Sequence, residues 1–129
     1  MAENGRDYKP TNAELGILQV LWTRGASTVR EVHDELSKGR ETGYTTVLKL
    51  MQIMAEKGLL IREESNRAHI YRTSESPELS KRHLVGDLME KVFGGSAKEL
   101  VLHALSAQRT SPEELASIRQ LLDDLEAKK

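Results

Sequence analysis

The sequence predicts a mainly α fold with a small β-hairpin. Two patterns predict it. Apolar residues recur at helical spacing through six segments, and between the third and the fourth the chain alternates around a turn-like centre, "LLIREESNRAHIYRT". A third observation fixes helix starts: Ser or Thr stands three residues ahead of Glu at several segment boundaries, the spacing of a capping box.

The first helix opens at Thr11, three residues before Glu14, and carries Leu15, Leu18, Leu21 and Trp22 along one face. Trp22 is expected at the centre of the small core, where an indole fills the most volume. "GAS" breaks this helix. "TVREVHDELS" then repeats the capping box with Thr28 and Glu31, and Val29, Val32 and Leu36 are its apolar residues. The polar, glycine-bounded "KGRETG" is a turn. Tyr44 to Lys57 is the third helix, and Gly58 ends it. Two strands follow, "LLIREE" and "HIYRT", joined through "SNRA".

The third helix has two different sides. Val47, Leu50, Met51 and Met54 cluster as a core face, while Thr45, Lys49, Gln52 and Glu56 fall in a narrow polar stripe opposite. A solvated surface is the ordinary explanation of such a stripe. Leu48 and Ile53, however, border it on either side instead of joining the core.

Three short helices followed by a hairpin is the element order of a winged helix-turn-helix, whose third helix enters the DNA major groove while the hairpin lies along the backbone. Residues 1–75 are accordingly read as a DNA-binding domain. Hydroxyls approach phosphates or base edges, Lys reaches guanine or phosphate, Gln pairs with adenine, and Leu or Ile touches a thymine methyl. The residues assigned to DNA are Tyr44, Thr45, Thr46, Leu48, Lys49, Gln52 and Ile53 on the helix, with Arg67 as a phosphate clamp at the hairpin tip. Thr46 lies at the edge of the core face, where packing or capping is its other role.

Composition narrows the alternatives. The 129-residue chain has no cysteine, which excludes disulfides, thiolate zinc sites and cysteine nucleophiles. His33, His69, His83 and His103 fall on four different elements without ligand spacing, so no metal is expected. There is no glycine-rich phosphate loop, and the Ser and Thr residues serve better as caps than as nucleophiles. Neither an enzyme nor a cofactor is expected. No apolar run approaches a membrane span and the start lacks a secretion signal, so a cytoplasmic protein without membrane insertion is expected.

Net charge is −1, and neither half of the chain is a basic block: residues 1–75 hold 11 Lys/Arg against 11 Asp/Glu, and residues 76–129 hold 8 against 9. A polyanion partner then has to be served by local placement of cations. A winged helix used as a protein-interaction module is the alternative that this balance leaves open.

Residues 76–129 read as three further helices forming a dimerisation region. Ser76–Pro77 starts one, with Leu84, Leu88 and Val92 on a face that "GG" terminates. Ser96 and Glu99 cap the second, and Ser111 with Pro112 starts the third, in which Leu115, Ile118, Leu122 and Leu125 are spaced three, four, three. Helices of this size make a poor core alone. Their stripes either fold back on the winged helix or, as a symmetric homodimer requires, meet a second copy. Leu84, Leu88, Leu115, Ile118, Leu122 and Leu125 are assigned to that dimer.

"TNAELGILQVLW", "TVREVHDEL", "GYTTVLKLMQIMAEKGLL" and "RAHIYR", in this order and at this spacing, resemble the BlaI/MecI penicillinase-repressor family, which also takes in the copper-responsive CopY repressors. The likeness runs from Tyr8 to the C-terminus and is strongest up to Tyr71. The resemblance implies a homodimeric winged-helix repressor on a palindromic double-stranded DNA operator of TACA/TGTA type, released by an inducing signal. It also implies a membrane-bound sensor protease that cuts the second C-terminal helix at an Asn–Phe bond. The matching place here is His103–Ala104, a different pair. Copper sensing through C-terminal cysteine pairs is excluded, because "LLDDLEAKK" contains none. Leu48 and Ile53 replace more polar residues of the family, which points to a different operator. A ligand-responsive regulator independent of proteolysis is the alternative mode of release.

Overall fold

A computed structural model describes residues 9–65 and 68–128, with Ser65 described by its backbone alone. Six helices and one hairpin follow in the order α1 (Asn12–Arg24), α2 (Val29–Ser37), α3 (Tyr44–Lys57), β1 (Leu60–Ser65), β2 (Ala68–Thr73), α4 (Pro77–Phe93), α5 (Ala97–Ala107) and α6 (Pro112–Ala127). The chain divides into two compact units, Met1–Val85 and Gly86–Lys129.

Local chemistry sets the helix ends in the first unit. Thr11 and Thr28 each accept from the backbone N–H of the Glu three residues on, and each Glu carboxylate accepts from the cap's own N–H, so both capping boxes are closed. Helix α3 ends at Gly58, whose φ of 88° is left-handed and suits glycine alone without cost.

The three helices bury Ile17, Leu18, Leu21, Val29, Val32, Val47, Met51 and Met54, and the hairpin closes the core with Leu59, Leu60 and Tyr71. Trp22 is not at its centre: the indole is partly buried and packs against the margin of the core, because Ile17, Leu18 and Leu21 take the inner face of α1.

The hairpin is longer than its sequence pattern suggests. Its antiparallel register runs from Leu60 opposite Thr73 to Ser65 opposite Ala68, so both ends of "SNRA" belong to the strands. A backbone bridge between Ser27 and Tyr71 adds the α1–α2 connection to the same sheet. The "GAS" break is thus a pairing segment as well as a helix stop.

The division between units falls inside α4, later than the 75/76 boundary expected from the Ser76–Pro77 helix start. The first turns of α4 are tied to the first unit: Ser80 is fully buried, and Nδ1 of His83 lies 3.0 Å from Glu75. In the second unit α4 stops at Gly94 and Gly95, both at positive φ, and Ser96 and Ser111 cap α5 and α6 through the N–H groups of Glu99 and Glu114. Helices α5 and α6 bury no residue at all.

Candidate nucleic-acid interface

Helix α3 is held by one side only. Val47, Met51 and Met54 are completely buried, whereas Thr45, Thr46, Lys49, Gln52 and Glu56 are exposed. The polar stripe and the core face therefore stand where helical periodicity places them. Thr46 lies on the exposed side of its ambiguous position. Ile53 is 36% exposed, a large apolar side chain at the border of the stripe. Leu48 stands less free than its neighbour: it is half-buried and packs against the core's edge.

The turn entering α3 is anchored by a residue that spacing rules gave no role. His33 on α2 places Nε2 2.8 Å from the Thr42 carbonyl, and a carbonyl can only accept, so Nε2 carries the proton of that bond. Nδ1 lies 3.1 Å from the Asp34 carboxylate. The ring also meets the edge of Tyr44 at 5.7 Å between centroids, and the Arg30 guanidinium sits 4.6 Å above the same tyrosine. Tyr44 is thus wedged between two α2 side chains at the first position of α3. Sequence spacing showed only that His33 lacked metal partners; the long-range bond to Thr42 has no local signature.

Charge in the first unit is sorted. Arg24 pairs with Glu31 and Glu35, Lys38 with Glu35, Lys57 with Glu14 and Arg72 with Glu63. Among the described residues of this unit, Arg30, Arg40, Lys49, Arg62, Lys81 and Arg82 make no ion pair with a carboxylate, and three of these, Arg30, Lys49 and Arg62, lie on or beside α3. Lys49 is on the stripe of α3. Arg30 and Arg62 line a groove between α2, α3 and the hairpin, together with Tyr44, Leu48, Gln52 and His69. Balanced net charge thus conceals a cationic surface around one helix. Arg67, the expected clamp, lies outside the described residues.

The Glu14–Lys57 pair fixes the end of α3 that lies away from Tyr44. Glu14 is almost entirely buried, with Lys57 Nζ at 2.8 and 3.0 Å from its two carboxylate oxygens. Burial pushes its pKa up, but bonds from Lys57 and from the Thr11 N–H outweigh burial and hold it below the usual carboxylate value.

In the second unit the residues assigned to a dimer divide by exposure. Leu84, at the end of the first unit, and Leu115 and Ile118 on α6 are half-buried, whereas Leu88, Leu122 and Leu125 are exposed. Val92, Val101, Leu102 and Leu121 join the exposed set. His103 and Ala104 are exposed in the middle of α5, with His103 stacked on Phe93 at 5.5 Å and 3.6 Å from Glu99.

The penicillinase repressor family model matches residues 10–124. The chain belongs to that family. Among relatives of this penicillinase-repressor chain, the transcriptional regulator BlaI of Mycobacterium tuberculosis is 33% identical over 120 residues, covering 88% of this chain and 83% of the other. The penicillinase repressor of Staphylococcus aureus is 22% identical over 116 residues, covering 90% and 92%. Among solved structures, the YusO protein of Bacillus subtilis superposes with a TM-score of 0.55 at 15% identity, over 95% of this chain and 78% of that one. At that identity the likeness speaks for the fold of this penicillinase repressor family member. No helix among its described residues is long and apolar enough to cross a membrane.

Proposed function

We propose that the protein is a transcriptional repressor that reads a palindromic operator as a homodimer, with residues 1–75 as the reader and 76–129 as the dimerisation region. The observation that carries the reading is the sidedness of α3: its apolar face is sealed in the core, and its polar face lies open with cations beside it that no carboxylate among the described residues pairs with. A helix presented in this way fits the major groove and offers Thr45, Lys49 and Gln52 to base edges or phosphates and Ile53 to a thymine methyl. Family membership and relatives named as repressors support the same reading.

The homodimer is supported by the uncovered apolar side chains of the helical region. Leu88, Val92, Leu102, Leu122 and Leu125 are too many large apolar groups to leave in water on so small a unit, and a second copy is the partner that a two-fold operator demands. Release is assigned to an inducing event in this region. The His103–Ala104 peptide lies within α5, so cleavage by a membrane-bound sensor protease requires that helix to unwind first.

Selection of bound sequences from a random duplex pool tests the proposal. Enrichment of a two-fold site is the expected result, and its affinity should fall steeply with salt. Recovery of an unenriched pool, or affinity indifferent to salt, would favour a protein-interaction module.

A further inference from the structure

We infer that Arg30 and Arg62 form a phosphate clamp in the groove between α2, α3 and the hairpin, gripping the DNA backbone beside the recognition helix. The inference rests on the repressor reading and adds to it two contact residues and a positioning residue.

Three observations support it. The two arginines come from different elements, Arg30 from the first turn of α2 and Arg62 from β1, and both line the same groove. Neither makes an ion pair with a carboxylate among the described residues, although Arg24, Lys57 and Arg72 on the same unit do. Most nearby acids are engaged elsewhere: Glu31 by Arg24, Glu63 by Arg72, and Glu64 lies 3.7 Å from His69, while Glu56, which shares an adjoining groove with Arg62, forms no ion pair with it. Other cations of the chain also lack a carboxylate partner, but Arg30 and Arg62 line one groove together, an arrangement that suits an anion arriving from outside. The groove opens alongside Gln52, so the anion next to it is the phosphodiester backbone of the duplex that α3 enters.

Tyr44 is the positioning residue. Its ring lies under the Arg30 guanidinium at 4.6 Å, and a planar cation stacked on an aromatic face is held in direction while its N–H edge stays available for phosphate. A long side chain that is already ordered loses less freedom when it binds.

The test is the salt dependence of binding to a mixed-sequence duplex by the full chain. Arg30→Gln and Arg62→Gln are each expected to reduce the slope of log K against log salt by about 0.9, so that a fourfold rise in salt weakens each variant roughly threefold less than the parent. Tyr44→Leu should reproduce the Arg30→Gln slope, and Tyr44→Phe, which keeps the ring, should restore the parental one. Arg109→Gln, an equal charge change in the α5–α6 connection, should leave the slope unchanged. Parental slopes in both groove variants, or an equal loss in Arg109→Gln, would overturn the clamp while leaving the reader intact. A parent with no salt slope sinks the repressor reading and the clamp with it. Circular dichroism of each variant establishes that the fold is retained, as substitutions at exposed positions permit.

Discussion

Ser27 and Tyr71 exchange both backbone hydrogen bonds: the Ser27 N–H donates to the Tyr71 carbonyl at 2.9 Å, and the Tyr71 N–H returns to the Ser27 carbonyl at 2.8 Å. Through this pair the hairpin is fastened to the start of α2. The Tyr71 ring is also wholly buried in the core that backs α3. Hairpin placement and core integrity therefore depend on one residue. Tyr71→Ala is expected to destabilise the first unit by about 3 to 5 kcal/mol, the cost of a large core truncation. Urea denaturation followed through Trp22 fluorescence measures it, and a loss below about 1 kcal/mol would mean the ring contributes little to the core.

Glu14 and Lys57 give the fold an acid-sensitive joint. The Glu14 pKa is depressed in the folded state, so its carboxylate contributes stability above its unfolded pKa of about 4.3, and that contribution fades as pH falls through the lower folded value. Lys57→Met should cost about 2 to 3 kcal/mol at neutral pH, because it strands a buried carboxylate. It should also move acid unfolding to higher pH. Glu14→Gln should cost less, since the half-exposed Lys57 can be hydrated, and should flatten the loss of stability as pH falls below the ordinary carboxylate range. Denaturant midpoints across this range decide it; an unchanged pH profile in Glu14→Gln would remove the carboxylate from the account.

Signals within one turn of helix were legible in the sequence, and those that depend on distant partners were not. The Thr11–Glu14 and Thr28–Glu31 boxes and the Gly58 stop are local, so helix starts and ends could be read directly. Glu14 appeared only as a cap because its second partner, Lys57, is remote in the chain. The Ser27–Tyr71 bridge is a single pairing with no alternation around Ser27 to announce it. The stripe of α3 was visible from its period, yet the clearance of Arg30 and Arg62 from acids depends on where Arg24 and Arg72 place theirs.

Trp22 illustrates a correction with a measurable consequence. Its indole Nε1 is shielded from solvent and finds no hydrogen-bond partner among the described residues, while the Lys81 ammonium lies 5.3 Å from the ring. A shielded, unpaired N–H is a cost that phenylalanine does not carry. Trp22→Phe should accordingly change stability by less than about 1 kcal/mol in either direction, the lost ring volume offsetting the relieved N–H. Thermal unfolding by circular dichroism measures it, and a loss above about 3 kcal/mol would return the indole to the centre of the core.

On α3, attraction and readout should separate. Gln52→Ala and Thr45→Ala are expected to relax sequence preference by about 1 to 3 kcal/mol per lost base contact while leaving binding to mixed DNA nearly intact. Glu56 is the acid on the same exposed stripe, and it shares a groove with Gln52 and Arg62. Glu56→Gln should therefore strengthen binding to every duplex, because it removes a charge repelled by phosphate. Competition titrations against selected and mixed duplexes distinguish the two effects; a Glu56→Gln variant that bound more weakly would make Glu56 a base contact.

Leu122 tests whether the helical region acts on DNA through dimerisation. Its side chain is 54% exposed in the single chain and Leu125 is 52% exposed, so a charge at this position should leave the protomer's own fold nearly unaffected. Against a second copy the same charge is buried without a partner in an apolar interface, and Leu122→Glu is expected to dissociate the dimer. The effect on DNA then follows from effective concentration: when two readers are joined, the second binds as an intramolecular partner, an advantage on the order of 10² to 10⁴ that a monomer forfeits. Sedimentation of Leu122→Glu, combined with binding to full and half sites recovered by selection, reads both steps. Half-site affinity should match the parent's while full-site affinity falls toward it. A monomer that kept the full site would sever dimerisation from repression, and a variant that stayed dimeric would show that this face of α6 packs against something other than its copy.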